Sequence, residues 1–181
     1  EAAAVRWAVP VADAFHARFG ATARRYDYWL LNDPVRAPLL AHRAGWVPRP
    51  LATEPMRQAA ALLVGRHDFS AFRAAECQAA SPVRELRRLD VERIGNLVRF
   101  RLVANAFLHH MVRNLVGTLV YVGLGRQPPQ WAGDVLRGGD RSAAAPTFSA
   151  AGLYLTGVEY DPAFGLPPPA DEIAPACGER E

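Results

Sequence analysis

"VRELRRLDVERIGNLVRFRLVAN" (Val83–Asn105) commits part of the chain to antiparallel pairing. Two runs rich in β-formers flank Gly95-Asn96, a pair suited to a tight turn whose first residue takes a positive φ. In the second arm Arg99 and Arg101 alternate with Phe100 and Leu102. One face of that arm is therefore predicted to be buried and the other wet and basic. A hairpin alone cannot bury its apolar face, so something must cover it. "NAFLHHMVRNLVGTLVYVG" (Asn105–Gly123) follows directly and reads as a long apolar helix.

The neighbouring segments extend this pattern. "TARRYDYWLLN" (Thr22–Asn32) reads as a strand ended by Asn32-Asp33-Pro34. "TEPMRQAAALLVG" reads as a helix capped by Thr53, with Pro55 in its first turn and Gly65 as its stop. Met56, Ala59, Ala60 and Leu63 share one face of it. "PPQWAGDVLRGGD" reads as a short helix ending at Gly138-Gly139, and "GLYLTGVEY" (Gly152–Tyr160) as a final strand. The tail from Leu166, Pro-rich and acidic, reads as disordered. Strands and helices mix without strict βαβ alternation. The fold class expected is α+β, a largely antiparallel sheet with helices packed on one face.

Half of the 181 residues are hydrophobic, enough for a sizeable core. No apolar run reaches the roughly 18 residues of a membrane span. No signal-peptide pattern opens the chain, and its first residue is Glu1, which reads as a fragment or a processed product. Cys77 and Cys177 lie far apart without CxxC spacing, so reduced thiols in the cytoplasm are expected rather than a disulfide or zinc site. No GxSxG-type nucleophile motif supports a hydrolase. All 21 basic residues are arginine. Sixteen of them stand against 10 acidic residues in 1–101, whereas 102–181 holds 5 against 8. A basic half beside an acidic half points to a polyanionic partner, with a salt-bridged solvated surface as the plainer alternative.

Arg113 lies in the middle of the apolar helix, and an arginine is seldom buried unpaired. At 100° per residue, Ala106, His109, His110, Gly117 and Val120 fall within about 60° of it. Leu108, Met111, Leu115, Leu119 and Val122 cover the opposite side. The narrow stripe has three readings. It could face solvent, although Ala106, Gly117 and Val120 are unlike an open face. It could bind a metal through His109 and His110, although adjacent histidines point about 100° apart and chelate awkwardly. Or another segment packs there, its backbone admitted by the small residues, and brings a carboxylate to Arg113. Spacing does not choose which carboxylate.

"FHARFGATARRYDYWL" (Phe15–Leu30), "DFSAFRAAECQAASPVREL" (Asp68–Leu86), "NAFLHHMVRNLVGTL" (Asn105–Leu119) and "GLYL" (Gly152–Leu155) occur in order. Together they resemble the bacterial tRNA pseudouridine synthase A family, over nearly everything from Phe15 to about Pro169. The resemblance implies isomerisation of uridine to pseudouridine in the anticodon arm of tRNA. It also implies an aspartate nucleophile, no cofactor, no metal and a homodimer. The family's nucleophile belongs to a Gly-Arg-Thr-Asp-Ala-Gly-Val-His type of motif, which these 181 residues do not contain. By resemblance, residues 1–20 are a remnant of the N-terminal domain, 21–166 the C-terminal synthase domain and 167–181 a disordered tail. A module that binds RNA or dimerises without turnover is the alternative. The resemblance assigns Arg113 as counter-charge to the absent aspartate, Tyr26 as the ring stacked on the target uracil, and Leu153 as an apolar wall of its pocket. Periodicity alone places Tyr26 and Tyr28 on one strand face without choosing between them, Tyr28 and Trp29 being the better candidates for core. Arg24, Arg25, Arg84, Arg99, Arg101, His109 and His110 are candidate RNA contacts.

Overall fold

The computed structural model describes Val5 and residues 7–169. The acidic end of the tail, with Cys177, lies outside the described residues. Among the described residues, six strands form one sheet: β1 (Ala21–Asn32), β2 (Gly45–Val47), β3 (Gly65–Asp68), β4 (Val83–Ile94), β5 (Leu97–Ala104) and β6 (Leu153–Tyr160). The order is β2-β1-β5-β4-β3, and β6 also pairs with β1. β6 runs antiparallel along Ala21–Tyr28, while β2 runs parallel beside Leu30–Asn32. All other pairings are antiparallel. Three helices join them: α1 (Thr53–Ala61), α2 (Met111–Gly123) and α3 (Gln130–Gly138). The α+β architecture is as expected.

The hairpin forms as its sequence requires. Ile94 pairs with Leu97 across the turn, and Gly95 takes φ 59°. Phe100 and Leu102 point into the main core with Tyr28 and Leu30 of β1, under α2. Met56, Ala59, Ala60 and Leu63 are all buried there. The opposite sheet face carries a smaller cluster of Trp29, Leu31, Ala44 and Leu97.

Three local expectations are corrected, and two short strands were not foreseen. Thr53 is the first helical residue and makes no capping bond; the cap position is Ala52. The short strands β2 and β3 carry no sequence signal of their own, being three and four residues long. The basic face of the hairpin is not wet. The side chains of Arg99 and Arg101 are only 12% and 19% exposed, because they lie against neighbouring acids and against Trp29.

Finally, residues 105–110 are not helical. The backbone N–H and C=O of Asn105 bond to Glu85 O (3.1 Å) and to the Arg24 guanidinium (2.7 Å), and its side-chain oxygen accepts from Glu85 N and Ala106 N. The N–H of His109 donates to Cys77 Sγ (3.4 Å), and its carbonyl accepts from Ala74 N (3.0 Å). These distant partners take the groups that a helix would need for i→i−4 bonds. His110 then adopts φ 62°, the left-handed region, and α2 starts at Met111.

Candidate active site

α2 is buried along almost its whole length, between the sheet and the segment from Arg141 to Phe148. This segment occupies the small-residue stripe, as the third reading of that stripe expects. A Cβ on Gly117 would stand 2.5 Å from Pro146 O, so only glycine admits the segment at this height. Phe148 N donates to Arg113 O (3.3 Å), and Arg113 Nε donates to Phe148 O (2.7 Å). The approaching group is therefore a backbone carbonyl, not a carboxylate. It orients the guanidinium without cancelling its charge.

A polar lock holds the segment in place. Asn114, fully buried, donates from Nδ2 to Phe72 O (2.8 Å). Its Oδ1 accepts from Thr147 Oγ1 (2.7 Å) and from Arg141 (3.2 Å). Arg141 also donates to Thr147 Oγ1 (3.0 Å) and Ala145 O (2.9 Å). No sequence signal reports this lock, because Asn114 looks like any polar residue on a helix.

Beside it lies a cavity of about 400 Å³, lined by Tyr26, Phe107, His109, His110, Arg113 and Leu153 among others. Four elements meet here: β1 presents Tyr26, β6 Leu153, α2 Arg113, and the irregular 105–110 segment the two histidines. Tyr26 meets Phe107 edge to face, with ring centroids 5.2 Å apart. The His109 and His110 rings lie 4.0 Å apart and tilted by 30°. Burial lowers the His110 pKa below its ordinary value, helped by His109, Arg113 and Arg141 and opposed by Glu76. Among the described residues, no carboxylate lines this cavity.

Tyr28 is set apart from the cavity. It is fully buried, and its hydroxyl donates to Ser149 O (2.9 Å). Burial pushes its phenol well above the usual range, against the opposing pull of Arg113 and of the Ser149 side chain. Of the two tyrosines that periodicity placed on one face, Tyr26 lines the cavity and Tyr28 is in the core.

The candidate arginines divide into two groups. Arg24 and Arg84 line a second cavity that shares Tyr26, Phe107 and His109 with the first. Arg25, Arg99 and Arg101 face away from both. Arg25 pairs with Glu159 (3.6 Å), Arg99 with Glu92 (2.6 Å), and Arg101 lies 3.8 Å from Asp27.

A model of the tRNA pseudouridine synthase family matches residues 59–161, more than half of the chain. The chain belongs to this family. Proteins called tRNA pseudouridine synthase A are similar to it: that of Burkholderia lata is 58% identical over 165 residues, covering 91% of this chain and 61% of that protein. That of Dechloromonas aromatica is 56% identical over 173 residues, 96% of this chain and 66% of that protein. The chain thus spans about three fifths of the length of these curated relatives. Among the described residues, no helix is long and apolar enough to cross a membrane.

Proposed function

We propose that the chain supplies one wall of the active site of an enzyme that isomerises uridine to pseudouridine in the anticodon arm of tRNA. The supporting observation is the placement of Arg113. Its guanidinium is fixed by the Phe148 carbonyl, uncancelled by any carboxylate among the described residues, in the cavity that Tyr26 and Leu153 line. A uridine in folded RNA must leave its stack to react. The Tyr26 ring offers the extruded uracil a new face, and Leu153 an apolar wall. Uridine and pseudouridine are isomers, so the reaction needs no oxidant, reductant or group donor.

The nucleophile is an aspartate from outside these 181 residues, and Arg113 is its counter-charge. A carboxylate enclosed with the substrate is desolvated, which raises its pKa; a cation within about 4–6 Å restores the ionised, nucleophilic form. By the same resemblance the assembly is a homodimer that works on tRNA in the cytoplasm. Residues 21–166 form its C-terminal synthase domain.

The test is a pH–rate profile under single-turnover conditions, for Arg113→Leu in the whole protein that carries this chain, with the 181-residue chain alone as the inactive blank. Loss of the cation raises the aspartate pKa. The rate is expected to fall at neutral pH and to recover partly as pH rises. Arg113→Lys is expected to restore it incompletely, because an ammonium lacks the guanidinium fork. An unchanged acid limb in Arg113→Leu refutes the assignment.

A further inference from the structure

The second cavity, about 570 Å³, carries three arginines where the first carries one. Arg18, Arg24 and Arg84 line it, and among the described residues no aspartate or glutamate does. Two of these guanidinium groups are held by neutral oxygens. Arg24 donates to the carbonyls of Ala21 (2.9 Å), Asn105 (2.7 Å) and Arg18. Arg84 donates to those of Ser81 (2.9 Å) and Val83 (2.6 Å). Carbonyls fix the direction of a guanidinium and leave its positive charge in place. Gathering such charges against one another in a concave site is unfavourable until an anion enters. The strain registers on Arg84, whose charged form is disfavoured first by burial and then by Arg73 and Arg24, with Cys77 opposing.

The Cys77 thiol stands in the same lining. Burial should raise the Cys77 pKa, yet the N–H groups of Ala79 and His109, together with Arg73, lower it below the ordinary value.

Resting on the uridine reading above, we propose that this cavity seats a phosphodiester of the RNA strand next to the uridine whose base enters the Tyr26 cavity. The shared walls, Tyr26, Phe107 and His109, fix the relation between the two. One side takes an uncharged base against aromatic and apolar groups. The other takes the adjoining backbone charge. This division needs no base-specific contact in the second cavity, so it serves any flanking sequence.

The experiment titrates the 181-residue chain with two single-stranded uridine trinucleotides, one with natural phosphodiester links and one with neutral methylphosphonate links. Arg84→Ala and Arg18→Ala are each expected to weaken the natural trinucleotide roughly tenfold and to flatten its salt dependence. Neither should change binding of the neutral one. Arg18 is exposed and holds Arg24 through its backbone carbonyl, which alanine retains, so that variant does not endanger the fold. In a Cys177→Ser background, the natural trinucleotide should also slow alkylation of Cys77 by iodoacetamide, and the neutral one should do so less. The proposal is overturned if the natural trinucleotide does not bind, if both variants bind it as wild type does, or if they weaken both trinucleotides equally. Tyr26→Ala separates the two readings. If it leaves both trinucleotides unaffected while the arginine variants behave as expected, the uridine cavity is misassigned and the phosphate site stands.

Discussion

Asn114→Ala tests the lock behind Arg113. The substitution removes a fully buried amide and three hydrogen bonds, at 2.8 Å to Phe72 O, 2.7 Å from Thr147 and 3.2 Å from Arg141. The Phe72 carbonyl is left as a buried acceptor, a loss of about 1–3 kcal/mol. Thr147 and Arg141 keep their mutual bond at 3.0 Å, so the other two losses are partly recovered and add about 1 kcal/mol. The expected destabilisation is about 2–4 kcal/mol, large against a typical domain stability of roughly 5–15 kcal/mol but short of unfolding the chain. Equilibrium urea denaturation measures it, with Thr147→Val and the double variant completing a cycle. Because the residues share one network, the cycle should show an interaction of at least about 0.5 kcal/mol. The lock also holds the segment whose Phe148 carbonyl orients Arg113, so turnover by the whole protein should fall mainly through kcat. A loss below about 1 kcal/mol with additive single variants would refute the reasoning.

Two further outcomes are expected. Tyr26→Ala should abolish turnover in the whole protein with the fold intact, since Tyr26 is only part-buried, while Tyr26→Phe, which keeps the ring, tests whether the hydroxyl also moves a proton; single-turnover pseudouridine assays decide, and wild-type rates in Tyr26→Ala would reject the assignment. His110 has a folded pKa below its ordinary 6.5, so the unfolded state binds more protons and stability should fall as pH drops below about 6.5. His110→Asn, which tolerates a left-handed φ, should flatten that slope in urea titrations across pH, and an identical slope would count against it.

The hairpin, β1 and the helical part of α2 were legible because their patterns are local. Alternation along Arg99–Leu102 and the apolar stripe of Leu115, Leu119 and Val122 need no knowledge of distant residues. The same locality made Asn105–His110 misleading. Its composition suits a helix, but its backbone bonds are claimed by Glu85, Cys77 and Ala74. The wet face expected for Arg99 and Arg101 failed for a similar reason. Strand pairing sets Asp27 and Asp90 opposite Arg101, and Trp29 and Glu92 opposite Arg99.

For the site, the motifs named Tyr26, Arg113 and Leu153 through resemblance, but periodicity could not separate Tyr26 from Tyr28. Burial does differ between them, Tyr28 being fully buried and Tyr26 part-buried beside the cavity, because β1 enters the core between those two residues. Sequence alone determined that a basic, half-apolar chain would build a sheet with helices on one face, since amphipathic period and turn chemistry are written residue by residue. Only the tertiary structure decided that Arg113 meets a carbonyl, that Asn114 is a lock, and that Arg24 and Arg84 gather around Cys77 while Arg25, Arg99 and Arg101 turn away. The bonds of Arg113 and Asn114 join groups 27 to 42 residues apart in the chain, and hydrogen bonds and charges act over a few ångströms of space, whatever the separation in sequence.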